Sequence, residues 1–451
     1  MKKKLIYYVS LLTTIILLSL SIFSNFTYSP FNADNVKESI AILSSSTYGG
    51  RLAGSKENSL VEELIRINFQ NNKLTPLNDD YKESYNVISP VNNNSVPYLK
   101  ISYDDGFEEN LNYGVDFKED MINFKNTNLT FSKEDKINLF SNYIEATTSQ
   151  GNCLFYLSPD DTFSFRSSFI SSFPYDMMIL LNKNSYNKIL DSLREGASIS
   201  VNIPFSSEEK EISNVVGVIK GTSNTLPPLV LTAHFDHLGK DALKNLYGGA
   251  LDNASGTSFL LELQRSLSTY GKPKRDIIFV ALNAEEFGLL GSKAFAEKNI
   301  DKLKGAEVIN FDMIGSKDFP LTLMLGTTYK DKDSKLLKSI EKIAKSNNVE
   351  TVVKYENSSD HASFNDLGID SLSFCHADVS KIHTPNDKVE YIDLNSINSA
   401  YSVIEDKIFE SSYNLITKFF YGKLSILIFS ILFGFLVSAP FINYFKKKRI
   451  E

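Results

Sequence analysis

Cysteine is scarce in this sequence: only Cys153 and Cys375 occur among 451 residues. Two cysteines form at most one bridge, which excludes a disulfide framework, and their separation along the chain excludes a CxxC metal-binding pair. They also say little about the redox compartment of the protein. With 42% hydrophobic and 22% charged residues, the chain can still bury a large core and has room for two folded units.

Positive charge is also scarce in the middle of the chain. The overall net charge is −7, but residues 1–29 carry three Lys and no acid, and residues 423–451 carry four Lys, one Arg and a single Glu. The remaining segment has 39 basic against 53 acidic residues. A body this acidic is not built to follow a phosphate backbone, so nucleic acid is not expected as a partner.

Both ends of the chain contain long uncharged apolar runs, at residues 5–26 and 424–445. Each run has about the length that a bilayer core requires. The first could be a cleaved signal peptide, but it is long for that role and no A-x-A-like site follows it, which favours an anchor. The second ends in a basic cluster at 446–449, typical of a transmembrane helix. The positive-inside rule predicts that both tails are cytoplasmic and that residues 30–422 lie outside the cell.

The middle of the chain divides where its pattern of apolar residues changes. Helical spacing at 33–46 and 55–72 flanks the turn-rich string TYGGRLAGS, and short aromatic and β-branched runs from about 85 to 212 predict a strand-rich insert without a chemical motif. After residue 215, strands alternate with helices near 255–268, 290–298 and 333–346. This alternation predicts an α/β fold with a mostly parallel central sheet flanked by helices. Such sheets form their sites beyond the carboxyl ends of the strands.

The predicted organisation follows from these changes. Its segments are a signal anchor or signal peptide (1–29), the start of a catalytic domain (30–83), a strand-rich insert (84–212), the catalytic domain proper (213–415), a transmembrane helix (424–445) and a basic cytoplasmic tail (446–451).

Seven residues able to bind a metal ion lie in five short motifs of the α/β segment. The motifs are TAHFDHLG, GGALDNASG, LNAEEFG, INFDMIG and HTPNDKVE, and their candidate residues are His234, Asp236, Asp252, Glu285, Glu286, Asp312 and His383. Three of the five motifs directly follow apolar stretches with the composition of buried strands. The sequence therefore predicts a site assembled at one edge of the sheet.

The first motif pairs an imidazole with a carboxylate. His234 and Asp236 are two residues apart, so on an extended backbone their side chains point the same way. A carboxylate beside a ligating histidine fixes its tautomer and raises its basicity. By the same alternation the side chain of His237 should point away from that of Asp236, and we expect a structural role for it.

Each carboxylate motif also has a structural interpretation that does not involve a metal ion. Asp252 could be a helix N-cap, although a short acid on a glycine-rich turn could also bridge two cations. Glu285 and Glu286 could be a solvated surface pair, but they follow a stretch with the composition of a buried strand, where adjacent acids repel each other unless a cation or proton compensates. One of them could bind a metal while the other accepts a proton from water.

The last two motifs complete the donor set. Asp312 ends the apolar stretch AEVINF, where an acid is either a ligand or a cap. His383 lies in a loop stiffened by Pro385, and Asp387 could orient its ring. Together the five motifs supply histidines and carboxylates, which suits Zn²⁺ or a similar divalent cation.

The strings AHFDH, LDNASG, NAEEFGLLGS, NFDMIG and HTPND occur in an order that resembles the M28 family of metallopeptidases, which are dizinc and mostly aminopeptidase enzymes. The resemblance covers about 33–83 and 213–415, including GRLAGS and SDHASFNDLGI. Ligand order also resembles the M20 family, but only 71 positions separate Asp312 from His383, too few for the lid domain which that family inserts there. The insert at 84–212 occupies the position of a protease-associated domain in many M28 members, although no signature supports that identity.

The resemblance implies a role for each residue. His234 and Asp312 would bind one zinc ion, Glu286 and His383 the other, and Asp252 would bridge the two. Substrate-binding roles would fall to Asp360 and His361, unless these two residues are structural.

Two residues would act without binding the metal. Glu285 would be the general acid/base that shuttles the proton of water to the leaving amine, and Asp236 would be the carboxylate partner of His234. The expected substrates are peptide or protein N-termini.

Two other functions remain open at this stage. A glutaminyl cyclase uses the same fold with one zinc ion, and some relatives have lost ligands and serve as receptors. The full ligand set and the retained base in this sequence favour hydrolysis with two metal ions.

Overall fold

The computed structural model describes residues 2–158, 162–413 and 415–448. Its fold is α/β, as predicted from the alternation of strands and helices. Its strands are, in chain order, β1 (Lys82–Asn92), β2 (Tyr98–Ser102), β3 (Glu108–Leu111), β4 (Phe117–Phe124), β5 (Asn128–Phe131), β6 (Lys136–Leu139), β7 (Tyr143–Thr147), β8 (Asn152–Leu157), β9 (Met177–Leu181), β10 (Ser198–Asn202), β11 (Phe205–Ile219), β12 (Leu229–His234), β13 (Ile277–Leu282), β14 (Glu307–Phe311), β15 (Leu321–Leu325), β16 (Thr351–Tyr355) and β17 (Asp370–Cys375).

The helices pack around and beside these strands. They are α1 (Lys2–Thr27), α2 (Ala33–Leu43), α3 (Lys56–Asn71), α4 (Lys183–Arg194), α5 (Gly256–Leu267), α6 (Leu290–Lys298), α7 (Lys335–Ser346), α8 (His361–Asp366), α9 (Leu394–Ser412), α10 (Leu415–Tyr421) and α11 (Lys423–Lys448). Caps explain several boundaries. Ser55 and Ser334 accept a backbone N–H with their side chains at the starts of α3 and α7, which removes the first residues from the helices predicted there.

The central sheet is mixed, with four parallel pairings out of seven. Its eight strands run in the order β1-β11-β13-β12-β14-β17-β15-β16. The middle pairings, β13 with β12, β12 with β14 and β14 with β17, are parallel, as is β15 with β16. The other three pairings are antiparallel. The expectation therefore holds for the four central strands β13, β12, β14 and β17. Strands β11, β15 and β16 run in the opposite direction, and β1, paired antiparallel with β11, again runs with the central strands.

Strands β12 and β13 consist mostly of apolar residues, and side chains on both of their faces pack into hydrophobic clusters. Every residue of β12 and β13 is buried, which is the pattern of a parallel strand covered on both sides. Parallel strands in one layer end at the same edge, so the residues that follow β12, β13 and β14 come together. This edge carries the candidate site.

The predicted strand-rich insert has two sheets of its own, in the orders β3-β2-β10-β5 and β4-β9-β8-β7-β6. Its entering and leaving strands, β1 and β11, pair antiparallel from Lys82 with Val215 to Asn92 with Phe205. The central sheet therefore extends past the predicted insert boundaries at 84 and 212. The insert shares a core with the catalytic part, since Leu238, Tyr247 and Phe287 pack in the same cluster as insert side chains.

Helices α1 and α11 lie beside each other and are apolar and exposed. The stretches Lys4–Thr27 and Lys423–Phe441 have mean hydropathies of 2.1 and 2.3, long and apolar enough to cross a membrane. The Tyr7 hydroxyl donates to the Leu436 carbonyl of α11, and the Asn25 amide donates to the Phe420 carbonyl of α10, shortly before α11 begins, so α1 and α11 run antiparallel. Of the predicted basic tail, residues 449–451 lie outside the described chain.

Candidate metal centre

The candidate residues meet at the carboxyl edge of the parallel strands. His234 is the last residue of β12, and Asp312 directly follows β14. Glu285 lies three residues beyond the end of β13. Asp252 lies in an irregular turn between Gly249 and the start of α5, with non-helical φ and ψ angles. His383 lies in the loop between β17 and α9.

One group of donor atoms consists of His234, Glu285 and Asp312, whose ligand atoms all lie within 4.8 Å of one another. Nε2 of His234 is 3.5 Å from Oδ1 of Asp312. Glu285 is partly exposed, whereas the other two side chains are buried. Burial raises the pKa of Glu285 well above its usual value, and the neighbouring carboxylates of Glu286 and Asp360 raise it further.

A second group consists of His237, Asp252 and Glu286, again within 4.8 Å. His383 joins this group, because its Nε2 lies 3.2 Å from Oδ2 of Asp252 and 3.3 Å from Oε2 of Glu286. Burial by itself would raise the pKa of Glu286, but the adjacent His383 and His237 keep that pKa well below its usual range. The histidines of the second group therefore favour the charged form of the Glu286 carboxylate.

Asp252 connects the two groups. Its Oδ1 lies 3.5 Å from Nε2 of His234, and its Oδ2 faces His383. The two oxygens of one carboxylate thus point to different donor groups, which is the geometry that a bridging ligand requires.

The histidines of the site do not neutralise all the negative charge of its buried carboxylates. The buried carboxylates include Asp236, Asp252, Glu286, Asp312 and Asp360. Within the described residues, the ion pairs of these acids are to histidine, and none is to lysine or arginine. Oδ1 of Asp312 is also buried without a hydrogen-bond donor there. Clustered, unneutralised carboxylates with imidazoles fit a divalent cation of the zinc type.

Asp236 supports both groups from behind. Its two oxygens accept the backbone N–H of Glu285 and of Glu286, each at 3.1 Å, and Oδ1 lies 3.5 Å from Nδ1 of His234. One fully buried carboxylate therefore fixes the turn that presents the glutamates and faces the ring of the histidine. The Ser359 hydroxyl orients Asp312 in the same way, donating to its Oδ2 at 2.6 Å.

Asp387 has a different partner from the one that its motif indicated. It does not orient the ring of His383. Its two oxygens accept the backbone N–H of Leu251 at 2.8 Å and of Asp252 at 3.0 Å. The carboxylate therefore fixes the turn that carries Asp252, because that turn has no helical partner for these N–H groups.

His237, for which sequence analysis predicted only a structural role, belongs to the second donor group. Its Nδ1 lies 2.9 Å from Oε1 of Glu286 and 3.9 Å from Oδ2 of Asp252. The period-2 alternation used for that prediction applies only within a strand, and β12 ends at His234. The sequence did contain a signal for His237: it is the third polar residue of the string HFDH, which begins at the last residue of the buried strand β12.

The two predicted substrate-binding residues differ in their surroundings. Both ring nitrogens of His361 are used within the fold, by the Ser373 hydroxyl at 2.7 Å and the Glu356 carbonyl at 2.8 Å. No ring nitrogen is left for a substrate in this arrangement, which favours the structural alternative for His361. Asp360 is fully buried beside the first group, and its oxygens have no hydrogen-bond donor among the described residues. Burial raises its pKa to about 7.

Strained backbone occurs at three turns of the site. Ala284, Met313 and His383 have φ angles of 58°, 57° and 58°, in the left-handed region that disfavours residues with a side chain. Each either adjoins a candidate residue or is one. Such strain persists only where the surrounding structure enforces it, and it concentrates at functional sites.

Comparisons with known proteins agree with this geometry. The family described as Peptidase family M28 matches residues 214–407, which contain all seven candidate residues. Aminopeptidase YwaD of Bacillus subtilis is 31% identical over 208 residues, covering 44% of this chain and 44% of the relative. A vacuolar membrane protease of Candida glabrata is 37% identical over 123 residues, covering 25% of this chain and 12% of the relative. The matches thus span less than half the length of these curated relatives.

A solved structure matches most of the chain. The zinc aminopeptidase BSAP from Bacillus subtilis has a TM-score of 0.61 and 19% identity, covering 85% of this chain and 96% of that one. At this identity the match shows a shared fold. It extends over the insert as well as the central sheet, because the catalytic segment alone is much shorter than 85% of the chain.

Proposed function

Residues 214–407 belong to peptidase family M28, and on this premise we propose that the chain is a membrane-tethered dizinc metallopeptidase that removes N-terminal residues from peptides. The observation that carries the proposal is Asp252, whose two oxygens face separate groups of buried donors. A partly exposed Glu285 lies beside them, open to a substrate.

The donor atoms would divide between two cations. His234 and Asp312 would hold one ion, Glu286 and His383 the other, and Asp252 would contribute to both. Zinc bound in such a site acts as a Lewis acid that polarises a carbonyl and lowers the pKa of water. The Nδ1–H of His237 donates to Oε1 of the Glu286 carboxylate at 2.9 Å and so fixes the orientation of that ligand.

Glu285 performs the proton transfers. It makes no ion pair or side-chain hydrogen bond within the described residues, so its carboxylate is available to the reacting molecules. Glu285 accepts a proton from the attacking water and then delivers it to the leaving amine. Asp236 contributes by fixing the backbone of Glu285, because it accepts that residue's N–H.

The substrate assignment is supported by relatives. The similar proteins named above are called an aminopeptidase, a zinc aminopeptidase and a membrane protease. The negative charge of the clustered carboxylates attracts a free α-ammonium group, which would restrict cleavage to N-termini.

Metal content and substrate preference test this proposal together. We expect the full-length protein, purified in detergent, to bind two equivalents of zinc and to hydrolyse aminoacyl amides and free peptides. N-acetylated peptides should remain intact, because they lack the ammonium group. A single zinc equivalent, with pyroglutamate formed from a Gln-initiated peptide, would instead indicate a glutaminyl cyclase. Two zinc equivalents without any turnover would indicate a receptor-like relative.

The membrane proposal is supported by the two apolar terminal helices, which run antiparallel and would bring both chain ends to the same side. The positive-inside rule makes that side the cytoplasm. Protease added to intact cells that express the protein should therefore digest the catalytic body. An epitope at either end should stay protected until the cells are permeabilised. Protection of the body in intact cells would refute this topology.

A further inference from the structure

The strand-rich insert reaches the metal centre through one extended segment, residues 163–170, with the sequence FSFRSSFI. We call it the strap. It is bound to the catalytic part by backbone hydrogen bonds: the N–H of Arg166 donates to the carbonyl of His383, and the N–H of Phe169 donates to the carbonyl of Glu286, both at 2.9 Å. The strap is therefore attached directly to two residues of the second donor group.

Side chains of the strap also contact these two residues. The Ser168 hydroxyl donates to Oε2 of Glu286 at 2.7 Å. The ring of Phe165 stacks on the imidazole of His383, with centroids 5.6 Å apart and planes inclined by 22°. Phe165 is nevertheless 48% exposed, so part of its ring remains free of contacts within the fold.

The strap is rigidly supported by the insert. Ser167 donates its N–H and its hydroxyl to the two oxygens of Asp120, at 2.9 and 2.7 Å, and the N–H of Ile170 donates to the Ile122 carbonyl at 2.7 Å. Asp120 and Ile122 belong to strand β4. The strap is thus fixed on one side to a strand of the insert and on the other side to the donor loops.

Arg166 anchors the centre of the strap. Its side chain is fully buried, donates from Nη1 to the Leu238 carbonyl at 2.6 Å, and lies over the rings of Phe205 and Tyr247. A buried guanidinium in an aromatic setting is costly to displace. The strap therefore has a fixed position relative to the metal centre.

We infer that the insert completes the catalytic site: Ser168 is a positioning residue for Glu286, and Phe165 is the wall against which the first side chain of the substrate packs. The inference rests on the proposed function. Ser168 acts through Glu286, since a hydrogen bond to one carboxylate oxygen fixes how that carboxylate is presented. Phe165 offers the free part of an aromatic ring beside His383, which favours substrates with a large apolar first residue.

The role of Ser168 is tested by zinc affinity, which does not require turnover. Competition with a chelator should show that Ser168→Ala weakens binding of one zinc equivalent by roughly tenfold, while Ser168→Thr, which keeps the hydroxyl, restores it. Ser164→Ala is the matched control, because the Ser164 hydroxyl contacts Thr162 and not the centre. Equal zinc affinity in Ser168→Ala and Ser164→Ala would overturn this role.

The role of Phe165 is tested by substrate preference. Phe165→Ala should lower kcat/KM for leucinamide about tenfold, mainly through KM, and should change kcat/KM for alaninamide less than twofold. Phe165→Leu should restore most of the preference, and Phe107→Ala, at an exposed site outside the strap, should have no effect. Equal losses on both amides, or none, would overturn the assignment.

Failure of the proposed function can be recognised separately. If the wild-type protein hydrolysed neither amide, the peptidase proposal would fail, whereas the zinc competition would still decide the role of Ser168. Phe165 would then be assessed by calorimetry with leucine, for which Phe165→Ala should weaken binding relative to Phe107→Ala. Unchanged binding there would overturn the wall assignment.

Discussion

Replacing Glu285 with glutamine should reduce kcat by a factor of about 10²–10⁴, the usual contribution of a general acid/base, and should leave both zinc equivalents bound. The amide keeps the size of the side chain but cannot accept a proton. Substrate binding should change little, so the loss should appear in kcat rather than in KM.

This expectation separates two roles that the geometry alone permits. Glu285 lies with His234 and Asp312 in the first donor group and is therefore close enough to be a ligand. Glu286 lies with His237 and Asp252 in the second group. If Glu285 is the base, only the change at Glu286 should release metal, although the two residues are adjacent.

Glu286→Gln is accordingly the matched control. It should lose about one zinc equivalent, because it removes a charged ligand that accepts from Ser168 and His237. Zinc would be quantified in both variants after equal dialysis, and turnover would be measured with excess zinc present. Loss of a zinc equivalent from Glu285→Gln, or full activity in that variant, would contradict the role of base.

The positions of His234, Glu285 and Asp312 could be predicted from sequence because strands β12, β13 and β14 are mostly apolar and almost entirely buried. A fully buried strand is recognisable by its composition, and parallel neighbours end at the same edge of the sheet. Polar residues that follow three such strands therefore had to meet. The sheet order and the reversed outer strands could not be predicted, since strand pairing depends on contacts between segments distant in sequence.

The residues that contact the donor groups were harder to predict from the sequence. Ser168 lies 118 positions from its partner Glu286, in a segment that carries no recognisable motif. His237 was assigned a structural role because alternation was extended past the end of a strand. Asp387 was paired with His383, its neighbour in sequence, whereas it binds backbone N–H groups of a turn about 135 positions away. Short-range patterns identify which residues carry chemistry, but long-range packing decides which partner each one has.

Arg51, in the string GRLAGS, shows how the start of the catalytic domain supports the centre. The side chain is fully buried and bonds only to carbonyl oxygens. Burial lowers its pKa to about 10, which leaves it charged at neutral pH. Its partners are the carbonyls of Leu43, Phe235, Gly248 and Gly249, at 2.7 to 2.9 Å.

Three of these four carbonyls belong to segments that carry the ligands, and the fourth, that of Leu43, ends helix α2. Phe235 lies between His234 and Asp236, and Gly248 and Gly249 begin the turn that contains Asp252. The backbone carbonyl of Arg51 also accepts the N–H of His237, at 3.3 Å. One side chain therefore joins helix α2 to two loops of the metal centre.

Arg51→Met should consequently destabilise the protein and lower its affinity for zinc. The substitution preserves much of the apolar volume but leaves buried carbonyls unpaired, at about 1–3 kcal/mol for each one that finds no other donor. Thermal unfolding of the full-length protein in detergent should shift to lower temperature, and the dialysed protein should contain less than two zinc equivalents. Arg66→Met is the matched control, because Arg66 lies near the surface of α3 and pairs with the exposed Glu63. If both variants unfold at the same temperature and keep the same zinc content, the buried guanidinium does not organise the ligand loops.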